Sequence, residues 1–150
     1  MMRPRSVCRS ERGTAAVEFA LVAPVLLLLL GGLLEFGWAV WSDSALCNAV
    51  SQASYHAFLT GSGVSPGSIA TMTEQASALN GVTATASAPA CYCASGMPAA
   101  PTPAASCATT CADGTTPGTY TTIVAQYTVP AFMPLFASPT ITETAIVRLK

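Results

Sequence analysis

The sequence predicts an α+β protein: one N-terminal transmembrane helix that runs on into an exported domain with a small antiparallel sheet of about three strands. Three observations carry this. Residues Phe19–Leu34 contain no charge, directly behind a basic segment. An apolar repeat of helical period follows over residues 42–59. Two late segments, Thr121–Val129 and Thr140–Leu149, alternate apolar and polar residues with the period of a strand.

The 150 residues are 51% hydrophobic and only 9% charged, against about 25% charged in an ordinary soluble domain. That length excludes a large enzyme with separate cofactor and substrate halves. A net charge of −1 gives no basic face for nucleic acid, so no nucleic-acid partner is expected. The charge is unevenly placed. Arg3, Arg5, Arg9 and Arg12 against Glu11 give residues 1–13 a net +3, while residues 14–150 carry −4.

Extended to Trp38, the apolar run makes a helix of roughly 28 Å at about 1.5 Å per residue, close to the hydrocarbon thickness of a bilayer. Trp38 and Trp41 stand one turn apart at its end, as an interfacial anchor. The positive-inside rule places the N-terminus in the cytoplasm and residues 42–150 outside. The expected organisation is a basic leader (1–13), a transmembrane helix (14–41) and an exported domain (42–150). The apolar core exceeds a normal signal-peptide h-region, and no small-x-small cleavage site follows it before Trp41. Retention of the helix is therefore expected.

Within a span an ionised carboxylate costs about 2.5–3.5 kcal/mol at the helix centre and less near an interface. Glu18 and Glu35 lie near opposite ends, and Glu35 is equally well read as a snorkelling end residue or as a partner contact. Glu18 differs in what precedes it: Gly13 stands five residues before it, where the basic leader meets the apolar helix. This arrangement resembles the class III signal of type IV pilins and pseudopilins, which a membrane aspartyl peptidase cuts after the glycine on the cytoplasmic face. The resemblance implies cleavage between Gly13 and Thr14, with Glu18 becoming the fifth mature residue. Glycine suits such a cleft because it allows an extended backbone without a side chain. In a filament, that glutamate would neutralise the new ammonium group of an adjacent subunit and offset the burial of both charges.

A more particular resemblance covers residues 12–60. Arg12-Gly-Thr-Ala-Ala-Val-Glu-Phe-Ala-Leu-Val-Ala-Pro-Val-Leu-Leu-Leu-Leu-Leu30, followed by Leu34-Glu35-Phe36-Gly37, resembles the N-terminal signature of TadE-like proteins. These are pseudopilin components of the tight-adherence, Flp-type pilus assembly machinery. The resemblance implies a pilin-like exported domain and a place in the bacterial inner membrane, with the C-terminal domain periplasmic or extracellular. The partners it implies are the membrane, a prepilin peptidase and other pilins or pilus assembly proteins. Pro24 fits the same pattern. Within a helix it removes one hydrogen bond, which either eases local melting during extraction from the bilayer or is simply tolerated.

In the exported part, Leu46, Val50, Ala53 and Ala57 form a narrow seam at spacings of 4, 3 and 4. Gly61-Ser-Gly63 ends this helix. Ser65-Pro66 opens a second, with Ile69, Met72, Ala76 and Leu79 on one face and Gly81 as its stop. Val82–Cys93, rich in Ala and Thr, is a weak strand candidate. In the late pair, Ile123, Ala125, Tyr127 and Val129 face one way and Thr122, Gln126 and Thr128 the other. Ile141, Ala145, Val147 and Leu149 repeat this against Thr142, Thr144 and Arg148. Pro130 and Pro139 bracket their connection, whose Ala131-Phe-Met-Pro-Leu-Phe136 is unusually apolar for a loop. It would pack on the sheet, touch the bilayer or meet a partner.

Residues 94–118 are dominated by Pro, Ala, Ser, Thr and Gly and should be irregular. They lie between two cysteine pairs, Cys91/Cys93 and Cys107/Cys111, which would staple the loop. A direct Cys91–Cys93 bridge is geometrically disfavoured, and both cross-pairings stay open. Spacings of one and three intervening residues are not those of C-x₂-C zinc knuckles, so disulfides are expected in an oxidising compartment and no metal. Cys47 is then the odd exported cysteine, read here as a small apolar helix residue in preference to a crosslink. The one histidine, His56, has no sequence-local acid or cysteine partner. No phosphate loop, H-E-x-x-H motif or nucleophile elbow is present. The chain is thus expected to be no enzyme, with no cofactor and no small-molecule substrate. The rival reading is an uncleaved single-pass envelope protein whose exported domain binds another surface component.

Overall fold

The structure, a computed structural model, describes residues 11–94, 100–133 and 137–149. The residues before Glu11, Lys150, and Pro134–Phe136 of the apolar connection lie outside the described residues, as do the side chains of Glu11 and Arg12; most of the expected basic leader therefore falls there. Two compact units are present, residues 1–37 and 38–150. Helix α1, Glu11–Thr60, contributes to both.

In the first unit, α1 carries its apolar residues outward all round, from Val17 and Phe19 to Leu34 and Phe36. A helix with no polar face of its own has nothing to gain from water, and suits a lipid surround.

The second unit is a helix-on-sheet layer. Its helical part buries Ser42, Leu46, Ala49, Val50, Ala53 and Ala57, the expected seam widened by one serine and one alanine. Thr60 ends the helix, and Gly61–Gly63 turn the chain as a single 3₁₀ turn. Gly61 there takes a φ of 74°, which glycine adopts without steric cost.

Helix α2, Pro66–Ala76, starts where expected, with Pro66 in the first turn behind Ser65. It stops before the expected glycine. Ala78 reverses the chain at a φ of 53°, and Gly81 reverses it again at 92°. The buried positions are Ile69, Thr73 and Ser77 rather than the 69–72–76–79 stripe, with Met72 and Ala76 half-buried. The hydroxyls hide this stripe from a reading of apolar spacing. Thr73 Oγ1 donates to the Ile69 carbonyl at 2.8 Å and Ser77 Oγ to that of Glu74 at 2.8 Å, so both are buried with their polar groups satisfied. Leu79 is buried from the following turn.

Among the described residues the sheet has five strands, where about three were expected: β1 (Thr83–Ala86), β2 (Ala90–Cys93), β3 (Thr102–Pro103), β4 (Gly118–Thr128) and β5 (Thr140–Arg148). All pairings are antiparallel. Strand β4 is the spine. β5 pairs along it from Tyr120–Arg148 to Thr128–Thr140, while β1 and β2 pair with its 123–126 and 118–120 stretches. The Val82–Cys93 candidate is therefore two strands, broken at Ser87–Pro89. Ser87 bridges the break: its N–H donates to the Thr122 carbonyl and its Oγ accepts from the Thr122 N–H, both at 2.8 Å. Among the described residues short β3 adds to β2 only, with Pro103 at the edge where no ladder N–H is required.

The late strands keep the expected alternation. Thr121, Ile123, Ala125, Tyr127 and Val129 are buried, and Ile141, Ala145, Val147 and Leu149 turn to the same side. Two residues of β5 break the binary pattern: Glu143 lies on the inner side and Ile146 on the outer. β5 pairs only β4 among the described residues, and an inward charge on an edge strand discourages pairing with a foreign chain.

The core has two adjoining parts. One gathers Leu46, Val50, Leu79, Ala84, Ala125, Tyr127 and Val129 with Trp38 and Ala45 against it. The other gathers Ala53, Ala57, Val64, Ile69, Ile123 and Leu149. Helix and β4 thus run in opposite directions, with Val129 at the level of the early helix and Ile123 at the level of its end.

Candidate functional site: the N-terminal helix and the stapled loop

The residues singled out near the N-terminus all lie on α1. Gly13 and Thr14 are its third and fourth residues, exposed and helical. The backbone there is wound rather than extended. A Cβ on Gly13 would meet nothing within 4 Å, so the glycine is not required by packing. Glu18 is exposed one turn further on, and Glu35 is half-buried. Phe36 and Gly37 are exposed, and a Cβ on Gly37 would also meet nothing. The helix continues through Pro24, which has no N–H to donate to the carbonyl of Ala20.

The first unit therefore offers an apolar cylinder with a carboxylate near either end. Among the described residues this is the one helix long and apolar enough to cross a membrane. Its chemistry is that of insertion and of helix–helix or helix–lipid packing. Beyond it, Trp38 and Trp41 stack tilted with ring centroids 4.8 Å apart, and Phe132 meets Trp38 edge-on at 5.8 Å.

The second feature is the stapled loop. Cys91 is bonded to Cys107 and Cys93 to Cys111, which selects one of the two cross-pairings left open by the spacing. Cys91 and Cys93 are two residues apart on one strand, so both project from the same face. The Ala104 N–H donates to the Cys91 carbonyl at 2.8 Å and brings the incoming chain to Cys91 first, leaving Cys93 for the later cysteine. Tyr92, on the other face of β2, meets Tyr120 edge-on at 6.0 Å. Beyond Cys111, Asp113 accepts from both the N–H and the Oγ1 of Thr115, at 3.0 and 2.7 Å. These bonds to the charged form hold its carboxyl below the usual carboxylate range.

The remaining candidates stand apart from both features. Cys47 is free and exposed on α1, so it is not part of the buried seam. His56 is half-buried beside Tyr55, Leu59 and Met72 in a shallow, mostly apolar groove, with its Nδ1 buried and unbonded. Among the described residues no three His, Cys, Asp or Glu side chains come together as a metal site needs. The reading of apolar spacing did not find Ser87 and Glu74. Glu74 Oε1 accepts the Ala84 N–H at 3.0 Å and ties α2 to β1. Neither residue announces such a bond in a local pattern.

Comparison with known proteins agrees with the helix. Neither the curated proteins nor the solved structures give a match. A family model described as TadE-like protein matches residues 13–54, from Gly13 through the apolar helix into the seam that faces the sheet. That segment is similar to TadE-like proteins, and together with the membrane-length helix the match fits a component of the Tad pilus system.

Proposed function

We propose that the protein is a pseudopilin of tight-adherence pilus biogenesis, anchored in the bacterial inner membrane with its N-terminus cytoplasmic. A prepilin peptidase cuts it after Gly13. Residues 14–41 then span the membrane, and residues 42–150 are exported as a pilin-like domain. The observation that carries this reading is a coincidence of position: the family match begins at Gly13, and Glu18 follows five residues later at the head of the apolar helix.

The chemistry follows from the charges. Removing residues 1–13 takes away the net +3 that holds the N-terminus on the cytoplasmic side, and it creates an ammonium group on Thr14. Glu18 on a neighbouring subunit would offset that charge on assembly with other pilins. Because Gly13–Thr14 is helical in α1, the peptidase has to unwind this first turn, and glycine lowers the cost by about 1 kcal/mol relative to alanine.

N-terminal sequencing of native protein from cells with an active prepilin peptidase should begin at Thr14. An intact leader there would overturn the cleaved reading. Gly13→Ala should impair processing, whereas Glu18→Ala should be processed normally and fail to assemble. Normal pili with Glu18→Ala would remove the charge role.

The helical start of α1 also supports an uncleaved single-pass envelope protein, since a wound scissile bond is a poor protease substrate. The same sequencing experiment separates the two.

A further inference from the structure

The connection between β4 and β5 is fixed at its base. The Val129 N–H donates to the Pro139 carbonyl at 2.9 Å, the Thr128 and Thr140 hydroxyls lie 3.2 Å apart, and the Ala131 N–H donates to Ser138 Oγ at 3.4 Å. What lies between is uncharged over all ten residues from Pro130 to Pro139. Such a loop would normally bury its aromatic side chains on the sheet. Instead Phe132 is 64% exposed, and so is 49% of Trp41 beside it in the same aromatic group.

The position of that group identifies what it meets. Phe132 touches Trp38, and Trp38 is covalently the next residue after the apolar segment that ends at Gly37. The opposed directions of helix and β4 bring Val129, and with it the base of the loop, to the first turns of the helix beyond that segment. If α1 spans a bilayer, Phe132 therefore stands beside the residue that directly follows the apolar segment. Aromatic side chains with apolar bodies are favoured at that depth.

We propose that the start of the β4–β5 connection, residues 130–133, is a second membrane contact: with Trp38 and Trp41 it seats Phe132 in the lipid headgroup region on the exported side. The exported domain is then held at the bilayer surface by two chain segments, the helix and the loop, rather than tethered by the helix alone. This rests on reading α1 as a membrane span, and the test separates the two.

Full-length protein carrying Cys8→Ser and Cys47→Ser is reconstituted into phosphatidylcholine/phosphatidylglycerol vesicles. A single cysteine is added by Met133→Cys, Leu27→Cys or Ser62→Cys and labelled with an environment-sensitive fluorophore. Ser62 is exposed and stands 24 residues beyond Trp38, about 36 Å along a helix. Quenching is measured with lipids spin-labelled either near the headgroup or deep in the acyl chain.

The probe at 133 should be quenched by the shallow label at least about threefold more than the probe at 62. The probe at 27 should be quenched best by the deep label. Adding Phe132→Ser should bring the signal at 133 down toward that at 62, with the Cys91–Cys107 bridge still formed as a check on folding. Quenching at 27 with no difference between 133 and 62 would overturn the loop contact while leaving the anchor intact, and would point the aromatic group toward a protein partner. No quenching at 27 would overturn the anchor, and the loop contact with it.

Discussion

Two isoleucines on the late strands test the sheet register directly. Ile123 of β4 is fully buried, among Ala53, Ala57, Val64, Ile69 and Leu149, and its cross-strand neighbours are Ala86 and Ala145. Alanines cannot swing in to fill a void, so Ile123→Ala loses the transfer energy of its side chain and leaves most of the cavity. The cost should be about 3–4 kcal/mol. Ile146 of β5 lies opposite Thr122 on the outer side and is 44% exposed, so Ile146→Ala should cost about 1 kcal/mol. Amide hydrogen exchange on the oxidised full-length protein reads both. The β4 amides should exchange at least roughly 100-fold faster in Ile123→Ala, since each 1.4 kcal/mol is a factor of ten, and only several-fold faster in Ile146→Ala. A slip of one residue would exchange the inner and outer faces of β5. Comparable effects for the two variants, or less than a threefold change for Ile123→Ala, would refute the register and the layer that depends on it.

Three further outcomes are expected. Non-reducing peptide mapping should recover Cys91–Cys107 and Cys93–Cys111; the opposite cross-pairing would show that the Ala104–Cys91 hydrogen bond does not order the loop. With sequence separations of 16 and 18, each bridge alone should contribute about 3 kcal/mol by loop closure, so Cys93→Ser/Cys111→Ser should visibly lower the unfolding midpoint. Asp113 is exposed and its folded pKa lies below 3.8, lowered by Thr115. Its stabilising effect is therefore present above about pH 4 and lost as pH falls through the folded value. Carbon-detected NMR should place its carboxyl titration below that of an ordinary aspartate, and Thr115→Val should move it back up. An unchanged titration in that variant would remove the threonine as the cause.

Features set by runs and periods were legible before any tertiary contact was known. The seam Leu46–Val50–Ala53–Ala57 is buried as its spacing implies, because a helix that packs on one side must repeat its apolar face about every 3.6 residues. The β4 and β5 faces follow from period-2 alternation in the same way. Helix α2 was legible only at its start. Pro66 is a local signal, but its buried face is built from Thr73 and Ser77, whose hydroxyls bond within the helix. Its stop uses Ala78 in a left-handed conformation, which glycine-based termination rules pass over. The broken β1–β2 edge was equally hidden, since the bonds of Ser87 reach Thr122 across 35 positions.

The sequence by itself determined the membrane-length helix, the charge step at Gly13, the family resemblance and the presence of two cysteine pairs, because each is a property of neighbours along the chain. Only the tertiary structure decided which cysteines pair, that β1, β2 and β5 all pair with β4 while β3 adds to β2, and that Phe132 meets Trp38. Those outcomes depend on which distant segments the sheet register brings together, and no local pattern encodes a contact between residues 38 and 132.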